Sequence, residues 1–187
     1  ASNTYTGNLM VGPSTGIGAN ANVFGSINAT STLEVSANAN LYSGLTVSGS
    51  ATIGGKANVY STANVIGTLE TTGNTYLYSN LAVSKNTTIS QNANVSGTVN
   101  IGSTLEATGN TSLYSNLAVS KNTTISQNAN VSGTVNIIST LETTGNTYLY
   151  SNLAVSKNTT VSLNANVSGT VNIGSTLEAT GNTSLYS

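Results

Sequence analysis

The sequence predicts an all-β fold, a parallel β-solenoid in which about 18 residues form each triangular coil. Three observations support this prediction: an uninterrupted six-residue period, two inward apolar positions in each period, and a row of Asn residues spaced by 18. Residues 2–187 divide into 31 consecutive hexapeptides without an insertion or a deletion. Because a short strand and a tight corner recur at a fixed interval, stacked coils would bury one continuous core.

The second and fourth residues of each hexapeptide form the predicted core. The fourth residue is Val, Ile or Leu in 25 of the 31 units. Two inward positions separated by one outward residue indicate a strand, because side chains alternate across a strand. We expect strands at the second to fourth positions and corners at the sixth and first positions, such as Lys85–Asn86 and Gly97–Thr98. The expected core includes Leu77, Val83, Ile89, Val95, Ile101 and Leu105, and the expected surface includes Glu70, Tyr78, Ser84 and Lys85.

A row of Asn residues along one corner predicts three hexapeptides in each coil. The first hexapeptide residue, taken at every 18th position, is in order Asn20, Asn38, Lys56, Asn74, Asn92, Asn110, Asn128, Asn146, Asn164 and Asn182. Asn tolerates left-handed backbone geometry and can stack its amide on the coil above. We therefore expect Asn74 to lie near Asn92, and Asn92 near Asn110.

Residues 1–187 are predicted to form a single continuous solenoid with two kinds of repeat. Residues 1–67 keep the hexapeptide pattern in a divergent sequence, whereas residues 68–187 are near-identical 36-residue tandem repeats. Each such repeat corresponds to two coils. Because the bare end of a coil is an open sheet edge, we expect the chain to continue beyond Ser187 or its ends to contact another subunit.

Composition argues against several functions. Charged residues make up only 5% of the chain, and its four basic residues are all Lys, so nucleic-acid binding is not expected. No apolar stretch approaches the roughly 20 residues of a membrane span, and no membrane insertion is expected. We predict no cofactor, metal or catalytic site. The five Glu residues would lie about 10 Å apart on one solvated face; they are Glu34, Glu70, Glu106, Glu142 and Glu178.

The aromatic residues are the unusual feature of the predicted surface. Tyr76 and Tyr148 take the third position of their hexapeptides, and only Tyr5 is expected to point inward. Cross-strand packing of aromatic residues would favour a sheet without any partner, whereas aligned exposed aromatic residues also mark contact surfaces. We predict self-association, with glycan stacking as the alternative, through seven residues that share the outward fifth position on one face: Phe24, Tyr42, Tyr60, Tyr78, Tyr114, Tyr150 and Tyr186.

Two resemblances extend this interpretation. The order of aliphatic and small residues, as from Val83 to Thr87 and from Ile89 to Ala93, resembles that of hexapeptide-repeat left-handed β-helices, which implies a left-handed coil. The best-known enzymes of that fold are acyltransferases with a His general base, and this chain contains no His. The segment NTTISQNANVSGTVNIGS resembles low-complexity repeats of bacteriophage tail fibres and of fibre-like proteins of large algal viruses.

The sequence therefore predicts a non-enzymatic structural shaft of a fibre, filament or virion appendage, located outside the cell or on the virion surface. Its expected partners are copies of itself, in a homotrimer or a lateral filament, and other fibre or capsid subunits. An intertwined trimer with a shared core is the alternative to a single rod. An ice-, surface- or glycan-binding solenoid is the alternative function, although no face carries the regular Thr-X-Thr array of ice-binding solenoids.

Overall fold

The chain forms a parallel β-solenoid, in a computed structural model that describes residues 3–5, 7, 9–11 and 14–186. This part of the chain contains 31 strands, and it contains no helix that could span a membrane. Each strand pairs in parallel with the strand three positions later, so partners are 18 residues apart, as in Leu77 beside Val95. The predicted fold class and coil length are confirmed, while the left-handed turn and the trimer stay predictions.

Three parallel sheets form the three sides of the coil. The first sheet has 11 strands: Asn3–Tyr5, Ala21–Val23, Ala39–Leu41, Ala57–Val59, Thr75–Leu77, Ala93–Val95, Thr111–Leu113, Ala129–Val131, Thr147–Leu149, Ala165–Val167 and Thr183–Leu185. The second sheet has 10 strands: Leu9–Val11, Ile27–Ala29, Leu45–Val47, Ala63–Val65, Leu81–Val83, Val99–Ile101, Leu117–Val119, Val135–Ile137, Leu153–Val155 and Val171–Ile173. The third sheet has 10 strands: Ser14–Ile17, Thr32–Val35, Ala51–Ile53, Leu69–Thr71, Thr87–Ile89, Leu105–Ala107, Thr123–Ile125, Leu141–Thr143, Thr159–Val161 and Leu177–Ala179.

The interior of the solenoid is built from the second and fourth hexapeptide residues, as predicted. The six residues expected in the core are each at most 4% exposed, and the four expected on the surface are exposed. Large and small inward side chains exchange places between coils, as where Thr71 lies beside Ile89. The inward orientation predicted for Tyr5 concerns a side chain outside the described residues.

Each corner spans the fifth, sixth and first hexapeptide residues, and the chain bends at the fifth and sixth. The corner predicted at Lys85–Asn86 therefore begins one residue earlier, at Ser84. The strand ends directly after its second buried side chain, Val83, because the chain must turn there to start the next side. The fifth residue still donates its N–H to the preceding coil, as from Ser84 to the Val65 carbonyl at 2.9 Å.

The row of Asn residues is confirmed in position, but its physical basis differs from the prediction. Each Asn Oδ1 accepts the backbone N–H of the residue one coil later, at 3.1 Å from Asn92 to Asn74 and at 2.8 Å from Asn110 to Asn92. Such bonds continue without interruption to Asn182. Gly7 has the one positive φ among the described residues, so left-handed geometry plays no part in this row.

Glycine at the sixth position accompanies the shorter of these bonds. The bond to Asn92 is 2.8 Å long, and Gly109 precedes its donor; the bond to Asn110 is 3.1 Å long, and Gln127 precedes its donor. A Cβ on Gly109 would lie 2.6 Å from Asn92 Oδ1, which is closer than van der Waals contact allows. The other Asn bonds between Asn74 and Asn182 alternate in the same way, at 2.8 Å where Gly precedes the donor and at 3.1 Å where Gln or Leu precedes it. Glycine at this position thus leaves space for the Asn side chain of the preceding coil.

Substitution of Gly109 with Ala should destabilise the solenoid, because the added methyl group would lie 2.6 Å from both the Asn92 Oδ1 atom and the Gln91 backbone carbonyl carbon. It would therefore push the two coils apart and weaken the bond from Asn110 to Asn92. We expect a loss of about 1–3 kcal/mol in the free energy of unfolding, measured in urea. Gln91→Ala changes the same position one coil earlier and should have little effect. Equal effects of the two substitutions would contradict the role given to glycine.

A charged residue should destabilise the protein at an inward position and have little effect at the neighbouring outward position. Ile89→Asp buries an unpaired carboxylate and should lower the free energy of unfolding by several kcal/mol, whereas Ser90→Asp should be nearly silent. Thermal and urea unfolding of both variants would measure this contrast. Similar losses in the two variants would show that the two positions are not inward and outward.

Eight inward threonine hydroxyls have no hydrogen-bond partner in the described structure. They are Thr71, Thr75, Thr87, Thr111, Thr123, Thr143, Thr147 and Thr159. All of them lie in the first and third sheets of the near-identical repeats, whereas the inward positions of residues 21–65 are Ala, Val, Leu or Ile. The core of the near-identical repeats therefore contains unsatisfied hydroxyl groups, and the core formed by residues 21–65 does not.

Replacement of Thr123 with Val should stabilise the protein, because it keeps the shape of the side chain and removes an unsatisfied hydroxyl. We expect a gain of about 1 kcal/mol in the free energy of unfolding. Thr124→Val, at the outward neighbour, is the control and should change it little. A loss of stability in Thr123→Val would show that the hydroxyl has a partner.

Candidate self-association surface

Seven aromatic side chains line the corner that follows the first sheet, and we call them the aromatic row: Phe24, Tyr42, Tyr60, Tyr78, Tyr114, Tyr150 and Tyr186. Each follows a strand of the first sheet directly. Their side chains are 47–68% exposed. The in-register pairing of the strands thus brings residues from distant parts of the sequence into one line along the rod.

The first part of the aromatic row is a continuous stack. The ring centroids of Phe24 and Tyr42 are 4.9 Å apart, those of Tyr42 and Tyr60 are 5.1 Å apart, and those of Tyr60 and Tyr78 are 4.7 Å apart. The rings are nearly parallel, with interplanar angles of 9° or less. These spacings match the distance of about 4.8 Å between neighbouring strands. An aromatic residue in every coil therefore stacks within the chain itself.

The second part of the aromatic row alternates with serine. Ser96, Ser132 and Ser168 take the fifth position in every second coil from Tyr78 to Tyr186. Successive rings there are two coils apart, or about 9.6 Å. We call the spaces above these serines the serine notches, and we call residues 78–186 the notched segment. The notches at Ser96 and Ser132 are both grooves open to solvent, with a volume of about 440 Å³ at Ser96 and about 360 Å³ at Ser132.

Tyrosine side chains and a polar strand border the notches. The notch at Ser96 is lined by Tyr76, Leu77, Tyr78, Asn94, Ser96 and Tyr114. The Asn74 Nδ2 atom donates a hydrogen bond of 3.3 Å to the Tyr76 hydroxyl, which ties this ring to the neighbouring corner. The notch at Ser132 has Ser112 at the position equivalent to Tyr76, and Tyr148 borders it from the following coil. The notches therefore combine flat apolar walls with polar atoms.

Charged residues lie mainly away from the aromatic row. The five Glu residues take outward positions on the third sheet, and Lys85 and its equivalents lie at the corner between the second and third sheets. Thr88 separates Glu70 from Glu106 in that sheet. No cluster of three or more potential metal-ligating His, Cys, Asp or Glu residues occurs in the described part of the chain. The outward residues of the first sheet between Ala21 and Leu185 are Asn, Ser or Tyr, and all are uncharged.

Five exposed aliphatic side chains were not predicted from the sequence, and two of them, Leu177 and Leu185, take inward positions in the last coil that the structure describes. The other three take outward positions. Ile66 and Ile138 take the fifth position after strands of the second sheet, and Leu163 takes a sixth position after the third. The available signal was an apolar residue at a position that other coils fill with Ser, Gly or Thr, for the two Ile residues, or with Ala, Gly or Gln, for Leu163. Ile66 and Ile138 are four coils apart, so they do not form a continuous row.

Comparisons with models of protein families, with curated proteins and with solved structures found no match to this chain.

Proposed function

We propose that this chain is a non-enzymatic structural shaft that self-associates laterally through its aromatic row. The observation that carries the proposal is a line of exposed tyrosines on an uncharged side of a regular rod. Tyr is enriched at protein contacts because its rigid ring covers a large area at little entropic cost, while its hydroxyl still reaches water or a partner. Depletion of charge in the middle of the surface is likewise typical of contacts.

The repeat architecture supports the role of a shaft. Each coil bonds to its neighbours through the same pattern of backbone hydrogen bonds, so adding a repeat lengthens the rod without changing its cross-section. Such a rod suits a fibre, a filament or a virion appendage, outside the cell or on the virion surface. Its partners would be copies of itself, in a lateral filament or a homotrimer, and other fibre or capsid subunits.

The proposal includes no catalytic activity. The chain contains no His or Cys, and its five acidic residues are all Glu. A Thr-bearing strand separates neighbouring carboxylates on the third sheet, as between Glu106 and Glu142. A pair of carboxyl groups about 5 Å apart, as retaining glycosidases use, is therefore not built into this face.

Removal of three tyrosines should abolish self-association. Tyr78→Ser, Tyr114→Ser and Tyr150→Ser, combined in one chain, install the residue that already occupies the intervening coils. Each lost ring should weaken the contact by at least about 1 kcal/mol, so the dissociation constant should rise by at least about a hundredfold. Sedimentation velocity over a range of concentrations would measure it.

The matched control removes three long side chains from the same region at another corner, through Lys85→Ser, Lys121→Ser and Lys157→Ser. This variant should associate like the original chain. A chain that stays monomeric at high concentration, or one whose oligomers survive loss of the tyrosines, would contradict the proposal. Binding of a soluble oligosaccharide by such a monomer would favour the glycan-binding alternative.

A further inference from the structure

We infer that two copies of this chain interdigitate through the notched segment, with rings of each copy inserted into the serine notches of the other. This inference rests on the proposed self-association and specifies its geometry. The two aromatic rows face each other and are offset by one coil, so that three of the four rings of one copy lie opposite the three serines of the other.

Ring spacing is the first argument for insertion. Two rings that flank a notch are about 9.6 Å apart, so a third ring midway between them would lie about 4.8 Å from each. The chain itself stacks rings at 4.7–5.1 Å between Phe24 and Tyr78. A ring from a second copy would therefore extend the stacking geometry that the continuous stack already shows.

The notches also offer room and suitable walls. The notch at Ser132 is lined by Ser112, Leu113, Tyr114, Asn130, Ser132, Tyr148 and Tyr150. Its 360 Å³ falls within the range of about 300–1,000 Å³ that is typical of binding pockets, and it is open toward solvent. The serine floor is small enough to admit a ring, and neighbouring Asn and Ser side chains supply polar atoms for the inserted hydroxyl.

The rings of one copy and the notches of the other recur at the same interval along the rod. Rings and serines alternate with a 36-residue period, or two coils, on both copies. One offset of a single coil therefore places three of the four rings of each copy opposite the three notches of the other. Antiparallel packing about a two-fold axis satisfies this offset and closes the contact between two copies.

Charge and area favour a second copy as the occupant. The outward residues of the first sheet along the notched segment are uncharged, so two copies can approach without electrostatic repulsion. Tyr78, Tyr114, Tyr150 and Tyr186 are 56–68% exposed. The six inserted rings of two copies would bury on the order of 800 Å² if each tyrosine presents about 200 Å² in all. The notch walls that these rings cover add to this area and bring the contact toward the lower limit of specific contacts, about 1,000–1,200 Å².

The decisive experiment fills the notches. Ser96→Tyr, Ser132→Tyr and Ser168→Tyr, combined in one chain, turn the notched segment into a continuous stack like that from Phe24 to Tyr78. This variant has more exposed aromatic surface than the original chain, yet its own rings now occupy the space that a partner needs. We expect its dissociation constant to rise by at least about a hundredfold, since three inserted rings are lost from each of the two copies.

Two further variants sharpen the result. Ser90→Tyr, Ser126→Tyr and Ser162→Tyr add the same residues at exposed positions after the third sheet and should leave association unchanged. A shifted variant joins the three notch-filling substitutions to Tyr78→Ser, Tyr114→Ser, Tyr150→Ser and Tyr186→Ser. It restores the alternation one coil away and should restore self-association to within about tenfold of the original chain.

The outcomes separate this inference from the proposed function. If the notch-filled variant associates as tightly as the original chain or more tightly, interdigitation is wrong, while association through a flat aromatic face stands. A shifted variant that stays monomeric would likewise contradict interdigitation. If the original chain does not associate, both the inference and the proposed function fail. Circular dichroism and thermal unfolding of each variant would confirm that the solenoid is intact.

Discussion

In-register hydrogen bonding between consecutive coils is the constraint on which the rest of this structure depends. At the start of a strand, Leu81 donates its N–H to the carbonyl of Thr98 in the next coil at 2.9 Å. Beyond the end of a strand, Tyr114 donates its N–H to the carbonyl of Val95 in the preceding coil at 3.0 Å. Both ends of each strand are thus held at one offset, and a slip of one residue would turn the buried side chains outward. Rows of Asn, Glu and Tyr follow directly from this fixed offset.

The relation between the coil and the repeat decides what the surface looks like. A coil has 18 residues and the repeat has 36, so neighbouring coils can differ while every second coil is nearly the same. The residue that directly follows each strand of the first sheet decides which kind of row forms. An aromatic residue in every coil gives a continuous stack, and Tyr alternating with Ser gives the notched segment. The backbone is equivalent in both parts, since Phe24 and Ser96 each follow a strand of the first sheet.

The strict period made the fold and the burial predictable from the sequence. Ile89 was assigned to the core and Asn92 to a corner row because each recurs at a fixed position, and both assignments hold. The bend at Ser84 could not be located, because hexapeptide composition does not distinguish the fifth residue from the sixth. The crowding between Gly109 and Asn92 depends on a contact 17 residues apart in the sequence, which only the stacked coils reveal. The stacking of the rings likewise could be seen only from the side-chain positions, whereas the alignment of the aromatic residues was predictable from the sequence.

The two parts of the aromatic row differ in how much ring surface is left uncovered. Within the stack, Tyr42 and Tyr60 each have a ring on both sides and are 50% and 47% exposed. In the notched segment, Tyr114 and Tyr150 have serines as neighbours and are 68% and 64% exposed. Rings that are already stacked within the chain gain less from a partner than rings whose faces meet water. Serine in every second coil therefore leaves ring faces uncovered within one chain, and the proposed interdigitation would cover them with rings of a second copy, once in each 36-residue repeat.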